Sequence, residues 1–399
     1  MKLKQRPQDF LVDEISSFTP DATGRFFVYE LEKQSLATLE AMGILARRNG
    51  LRASELSASG LKDKHGSTTQ LFSAPKALAS DTGDERLKLR FVGKCASPLT
   101  ASSIIGNRFD LVLRGLREHE VAALPDNRAQ IAAFGIPNYY DNQRFGSNAH
   151  GQGFIGKALA LGQFEEALRL HLAVPHRKQN MRDKTNRRLA RDLWGQWAEL
   201  HQRMTKCSDR ALVEFLRDNP GQFAACFDRI TPSLRTMYVA AYQSLLFNET
   251  LSRFIAAEAP ALIDQHNRGG EIPMHRSLSE SQLSTWRETD FPLVGASTRI
   301  EDFPLAAPHL QAVLAAQGVA LEQLRLAGLE RSRFKAAQRR ILMFPQELVV
   351  DSPQADELNQ GLYSVRARFT LPRGSFATIV ARRLVCATWP GKPPQQTQP

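Results

Sequence analysis

Asp63 lies in the stretch GLKDKHGSTTQ (60–70), flanked by Lys62, Lys64 and His65. A carboxylate held among cations stays ionised, because opposite charge favours the charged form. An ionised carboxylate can act as a nucleophile. A second group, GIPNYYDNQRFG (135–146), offers Asn138, Tyr139, Tyr140, Gln143 and Arg144. A third is Phe376, which follows the turn Pro372-Arg373-Gly374. Aromatic side chains stack on bases, and an amide reads a base edge with its donor and acceptor. These types suit an unstacked base held beside a reactive carboxylate. On residues alone the bland reading comes first: a polar loop bounded by glycines, with Leu56 before it and Leu71 and Phe72 after it, is an ordinary turn.

Other chemistries fare worse. GQGFIGKA (151–158) fits G-x-G-x-x-G and nearly fits the phosphate-loop pattern, but Ala158 stands where Ser or Thr would bind magnesium. Its lead-in, QRFGSNAH, is not an apolar strand, so the expectation is a loop opening a helix at Phe154. G-x-S-x-G and H-E-x-x-H are absent, which removes two large hydrolase classes. Cys95, Cys207, Cys226 and Cys386 have no C-x-x-C spacing, so no zinc site is expected and the thiols read as small buried apolar groups.

Net charge is +11, unevenly spread. Residues 177–191 carry +6, 325–340 carry +5 and 358–399 carry +6, so the remainder is net negative. Such clustering points to a polyanion-binding face, against the alternative of solvated helix faces and a basic tail. No run of 18 apolar residues suggests a membrane span, and MKLKQRPQDF lacks the apolar core of a signal peptide. A cytoplasmic protein is expected.

The elements that must position these groups are readable in outline. RFFVYELEK (25–33) alternates Phe27, Tyr29 and Leu31 with Val28, Glu30 and Glu32, a strand period. Residues 36–50 predict a helix closed by Asn49-Gly50. NRFDLVLRG (107–115) and YSVRARFTL (363–371) predict strands, and SFATIVARRLV (375–385) a capped helix or a last strand. The segment around Met237, Ala241, Leu245, Leu251 and Ile255 predicts one long helix, interrupted by the polar Gln243 and Asn248. The stretch 260–310 is expected to be irregular, and the tail 390–399 disordered. With strands at both ends and helices between, the pattern is an α+β domain with a helical insertion, its two terminal segments sharing one sheet. At 399 residues two domains are expected.

GLKDKHGSTTQ resembles the G-x-K-D-[KR]-x-A-x-T-x-Q motif of the tRNA pseudouridine synthase D (TruD) family, and GIPNYYDNQRFG its G-[VI]-P-N-Y-F-x-x-Q-R-F-G. KQRPQDFLVDE (4–14), YQSLLFNETLSRFI (242–255) and LPRGSFATIVAR (371–382) are similar to three further family motifs in the same order. The five span residues 4 to 385. The chain departs from the pattern at Gln8, Gly66, Ser67 and Tyr140, and 170–237 is longer than in compact bacterial members.

The resemblance implies a pseudouridine synthase fold: a catalytic α+β domain with a mixed, mostly antiparallel sheet (1–163 and 344–389) and an inserted, mainly helical domain (164–343). It implies an isomerase that turns a specific uridine of RNA, uridine 13 of tRNA, into pseudouridine. Asp63 would be the nucleophile. Phe10, Asn138 and Phe376 would line the uridine pocket, and Lys4, Glu14, Lys62, Tyr140 and Gln143 would support them. Lys62 and Lys4 are both candidates for the cation beside Asp63. No metal or redox cofactor is implied, and the partner is tRNA, with no membrane and no obligate protein partner, the chain acting as a monomer. The alternatives are a non-catalytic RNA-binding protein on the same fold and a synthase acting on another uridine.

Overall fold

Among the described residues nine strands build the sheet of the first of two units. They are β1 (Phe10–Ser16), β2 (Phe26–Gln34), β3 (Ser57–Ala58), β4 (Ser67–Ala74), β5 (Leu87–Cys95), β6 (Ile104–Leu116), β7 (Gln346–Val350), β8 (Gln354–Ala355) and β9 (Tyr363–Pro372). The computed structural model describes residues 1–146, 152–175, 179–329 and 331–386. The expected disordered tail, Gly151 of GQGFIGKA and Arg177 and Lys178 of the first basic cluster lie outside them.

The strand order is β7-β9-β6-β1-β4-β2-β5, with β8 on β9 and β3 on β4. β1 and β4 run parallel, with Leu11 opposite Ser67. The other ladders are antiparallel. This is the mixed, mostly antiparallel sheet expected. Strands from both ends of the chain share it: β9 pairs with β6, placing Phe369 opposite Phe109.

Local chemistry explains the elements. In β2 the alternation buries Tyr29 and Leu31 on one face. The Tyr29 ring stacks on Phe72 of β4 at 5.7 Å. The helix Thr38–Arg48 lays Ala41, Met42, Leu45 and Ala46 on that face, the i, i+4 stripe of an amphipathic helix. Each such buried Leu or Met contributes roughly 2 kcal/mol. Glu40 accepts from the Ala37 N–H at the helix start, and the chain leaves the helix at Gly50 with φ +61°. SFATIVARRLV resolves as a helix, Ala377–Leu384.

Arg114 of β6 fixes the N-terminal segment. Its backbone exchanges hydrogen bonds with Lys2 (2.7 and 3.0 Å). Its buried guanidinium binds Asp9 at 2.9 Å and Asp356 at 3.2 Å. Residues 2–9 are thereby held along β6, and the chain enters β1 at Phe10.

The first compact unit is Met1–Ile136 with Met343–Pro399; the second is Pro137–Leu342. The second is mainly helical. Its longest helix, Pro232–Glu258, has 27 residues and starts with proline at its first position, where a missing N–H costs nothing. In GQGFIGKA a helix does begin after Phe154, at Ile155. A Cβ on Gly156 would sit 2.7 Å from the Tyr238 carbonyl oxygen, so this glycine serves close helix packing. The stretch 260–310, expected to be irregular, contains helix Glu280–Glu288, and helix Ala307–Gln317 begins at its end. The signal was present: Ser279 and Gln282 form a reciprocal capping box.

The three basic clusters differ in how their charge is engaged. In the third, Arg366 pairs with Asp110, Arg368 with Asp351, and Arg383 is buried against Asn127 and Gln130. In the first, Arg187 is buried and donates to the carbonyls of His171 and Val174. Only part of the charge visible in the sequence therefore faces outward. Among the described residues no helix is long and apolar enough to cross a membrane.

Candidate active site

The loop 59–66 joins β3 to β4, which pair antiparallel with Ala58 opposite Phe72. Polar residues of the motif hold the loop shut. The Lys62 N–H donates to Thr38 Oγ1 (3.0 Å), and Thr38 Oγ1 donates to Gln70 Oε1 (2.9 Å). Gln70 Nε2 returns a bond to the Gly60 carbonyl (3.0 Å). Gly66 passes so close to β1 that a Cβ there would lie 2.5 Å from the Phe10 carbonyl oxygen. Glycine alone fits without displacing one strand from the other.

Two ion pairs stand at this loop. Lys4 Nζ lies 2.5 Å from Asp63 Oδ2, each side chain less than a fifth exposed. The same Nζ sits 3.9 Å from the centre of the Phe10 ring. Lys4 adopts φ +61°, a left-handed conformation uncommon for a residue with a side chain. Lys62 turns instead to Glu14 of β1, 2.9 Å away, and to Asn107 Oδ1, 2.6 Å away. The Lys62–Glu14 pair is almost wholly buried. Of the two candidate cations, Lys4 is the direct partner of Asp63.

Lys33, which the sequence reading missed, is fully buried and donates to the Asp63 carbonyl (2.7 Å) and the Leu36 carbonyl (2.7 Å). Burial drives its ammonium down to about 8, opposed by the nearby Asp63 carboxylate. The signal was the strand period itself: Lys33 continues the buried face of Tyr29 and Leu31.

Phe10 is buried, its ring edge-on to Phe109 at 6.3 Å. Phe376 caps the start of helix Ala377–Leu384 and is partly exposed. The structure thus brings Lys4, Phe10 and Asp63 into contact, with Glu14 and Lys62 as a second pair beside them.

Asn138, Tyr140 and Gln143 belong to the second unit. Asn138 is buried, and its backbone N–H donates to Ile341 O (2.8 Å). Its Nδ2 donates to Arg340 O (3.0 Å) and its Oδ1 accepts from Arg339 Nη2 (2.5 Å). Arg339 also donates to the Asn138 carbonyl (2.9 Å) and lies 4.2 Å from the Tyr140 ring centre. Burial pulls the Arg339 guanidinium down. Asn248 of the long helix clasps the Tyr140 backbone from both sides, accepting from its N–H (2.9 Å) and donating to its carbonyl (2.8 Å). Gln143 is exposed. Arg339 and Asn248 were visible in the sequence as a basic residue and a polar intrusion in a helix, without their partners.

Among the described residues no group of three or more His, Cys, Asp or Glu side chains could hold a metal ion. Chemically, the first unit offers a half-buried carboxylate with one ammonium on it and another beneath its backbone. The second offers an amide held flat by an arginine.

Comparison with known proteins gives the family. The model of the family "tRNA pseudouridine synthase D (TruD)" matches residues 1–384. The chain is 30% identical to the probable tRNA pseudouridine synthase D 1 of Methanococcus maripaludis, over 96% of this chain and 99% of that one. It is 28% identical to the tRNA pseudouridine synthase D of Aquifex aeolicus, over 97% and 98%. The crystal structure of the putative tRNA pseudouridine synthase D from Methanosarcina mazei superposes with a TM-score of 0.68 at 25% identity, covering 96% of this chain and 93% of that one. With the α+β sheet, the closed Asp63 loop and a family match along nearly its whole length, the chain belongs to the tRNA pseudouridine synthase D (TruD) family of isomerases.

Proposed function

We propose that this enzyme isomerises a uridine of tRNA to pseudouridine, with uridine 13 as the target and Asp63 as the reacting carboxylate. The observation that carries this reading is the Lys4–Asp63 pair at 2.5 Å. It sets an ammonium against a partly accessible carboxylate beside an aromatic ring, and a carboxylate is a group able to act as a nucleophile. In the reaction the bond from ribose C1′ to N1 breaks, the base turns while bound, and C1′ bonds to C5. N1 gains a proton and C5 loses one, so no oxidant or reductant is needed. A uridine within a stacked RNA must be flipped out to reach such a carboxylate. Phe10 and Phe376 are the proposed aromatic lining, and Asn138 the proposed edge reader. Its amide is oriented by Arg339 and Arg340, which leaves one N–H and one acceptor lone pair for a base. Glu14 and Lys62 support the loop through their buried pair, and Tyr140 supports Asn138 through the Arg339 guanidinium they share. Gln143, exposed at the end of the same segment, is the remaining supporting residue.

Asp63→Asn keeps the shape and removes the charge. Pseudouridine formation on a tRNA transcript should be lost, while binding of that transcript persists. Full turnover by this variant would remove Asp63 from the chemistry and favour a different centre. Mapping pseudouridines in cellular RNA with and without the enzyme distinguishes uridine 13 from another position.

A further inference from the structure

We propose that a basic pocket of the second unit, lined by Arg331, Ser332, Arg333, Lys335, Arg235 and Gln243, binds phosphates of the RNA backbone. The proposal rests on the reading of the substrate as RNA and adds a docking site that is separate from the reacting carboxylate.

The pocket holds about 280 Å³, and among the described residues no carboxylate lines it. Its outer wall is the segment 331–335, where Arg331, Arg333 and Lys335 are exposed and alternate with buried Ser332 and Phe334. The alternation is that of an extended chain, whose two-residue step is about 6.6 Å. That repeat is close to the separation of neighbouring phosphates along one RNA strand. Among the ion pairs of the described residues, none engages Arg331, Arg333 or Lys335, whereas Arg169, Arg203, Arg217, Arg235, Arg299 and Arg340 of this unit each have a carboxylate partner. Glu330, which precedes them in the sequence, lies outside the described residues.

The inner wall is built. Gln243 Nε2 donates to the carbonyls of Val294 (2.8 Å) and Lys335 (2.9 Å), which holds the segment against the long helix. Phe334 packs edge-on to Tyr242 of that helix at 6.1 Å. Two buried polar atoms of the lining have no hydrogen-bond partner: Ser332 Oγ and Arg235 Nε. Both residues are more than nine-tenths buried. Buried donors left unmatched cost free energy, and both belong to residues that line this pocket. The remainder of the Arg235 guanidinium pairs with Asp228 at 2.8 Å, which orients it. A hydroxyl, a fixed guanidinium and mobile cations make a phosphate site, because arginine's planar fork matches phosphate oxygens.

Continuity points to RNA as the source of the phosphate. The same segment runs on into the strand Ala337–Arg340, where Arg339 holds Asn138. Six residues of extended chain, about 20 Å, separate Arg333 from Arg339. A strand of RNA whose base meets Asn138 has phosphates within that reach.

The test uses the full chain and a tRNA transcript, with binding measured across a salt series. Replacing Arg331, Arg333 and Lys335 together by Gln should weaken binding at least tenfold. The slope of log affinity against log salt should become shallower by about two, at 0.7–0.9 per lost phosphate contact. A control that replaces Arg203, Arg217 and Arg299, each paired with a carboxylate, removes equal charge and should stay within twofold. Ser332→Ala, which takes away a hydroxyl with no protein partner, should leave thermal stability unchanged and weaken binding roughly tenfold. Unchanged affinity in the triple variant or in Ser332→Ala, or an equal loss in the control, overturns the proposal. Inorganic phosphate is the second probe. Saturable phosphate binding that the triple variant loses, with RNA affinity intact, assigns the pocket to a free anion and also overturns it. If the wild-type chain binds no tRNA, both readings fail. If it binds through these residues but forms no pseudouridine, only the proposed function fails.

Discussion

Lys4 Nζ approaches Asp63 Oδ2 to 2.5 Å from a left-handed backbone position, although Lys62 is Asp63's neighbour in the chain. Adjacent residues of an extended loop point apart, so the sequence neighbour goes to Glu14 and the distant lysine serves the carboxylate. Replacing Lys4 by Met should lower kcat tenfold to a hundredfold, the worth of a hydrogen bond to a charged group. KM for RNA should move less than threefold. Single-turnover assays on a tRNA transcript check this, and an unchanged kcat would remove Lys4 from the site.

Lys33 titrates near 8 in the folded chain because burial opposes its charge. Its folded value is below the ordinary one of 10.5, so the unfolded state binds the proton more tightly between the two. Charged Lys33 therefore costs stability below pH 8. That cost is relieved as pH rises from about 8 to about 10.5, by on the order of 3 kcal/mol at full relief. Urea unfolding of wild type and Lys33→Met at pH 7, 8.5 and 10 measures it: the wild type should gain on the variant as pH rises. A constant difference between the two would contradict the account.

The buried Glu14–Lys62 pair should behave asymmetrically. Glu14→Ala leaves a buried ammonium with the Asn107 side-chain amide oxygen as its remaining hydrogen-bond acceptor among the described residues and should cost about 3 kcal/mol. Removing both ends, as Glu14→Leu with Lys62→Met, should cost less than Glu14→Ala alone. Denaturation midpoints decide it; a double variant less stable than the single would mean that the pair itself stabilises the fold.

Arg339 is expected to matter as a positioning residue. Arg339→Gln should reduce kcat/KM tenfold to a hundredfold, and Arg339→Lys should not restore it, because an ammonium cannot bond the Asn138 carbonyl and amide together and cover Tyr140. Its effect should not add to that of Asn138→Ala. A double variant showing the full sum of both losses would place the two residues in separate tasks.

Much of the architecture was legible. The alternation in 25–33 and 363–371 predicts strands and the spacing in 234–255 a helix, because each pattern is local, and the structure has Phe26–Gln34, Tyr363–Pro372 and Pro232–Glu258 there. The motifs also brought Asp63, Phe10 and Lys4 into view before any coordinates. What stayed hidden were partnerships between distant segments: Arg339 with Asn138, Asn248 with Tyr140, Arg383 with Asn127. A basic run reads the same in sequence whether its arginines face solvent or are paired and buried, as the third cluster shows. Lys33 is the instructive middle case, since its strand period marks it as inward-facing while its residue type suggests the surface.

The sheet's strand order also constrains synthesis. β6 pairs with β1 on one side and with β9 on the other, and β9 follows it by about 250 residues. At roughly 5–20 residues per second, β6 leaves the ribosome some ten to fifty seconds before its second partner exists. During that interval its unpaired edge is a template for wrong strands. A chain truncated after residue 362 should therefore be cleaved in β6 by proteases that spare the full chain; equal resistance would show that the edge is protected some other way. Any stall in translation between 137 and 362 prolongs the exposure, and with it the window for aggregation.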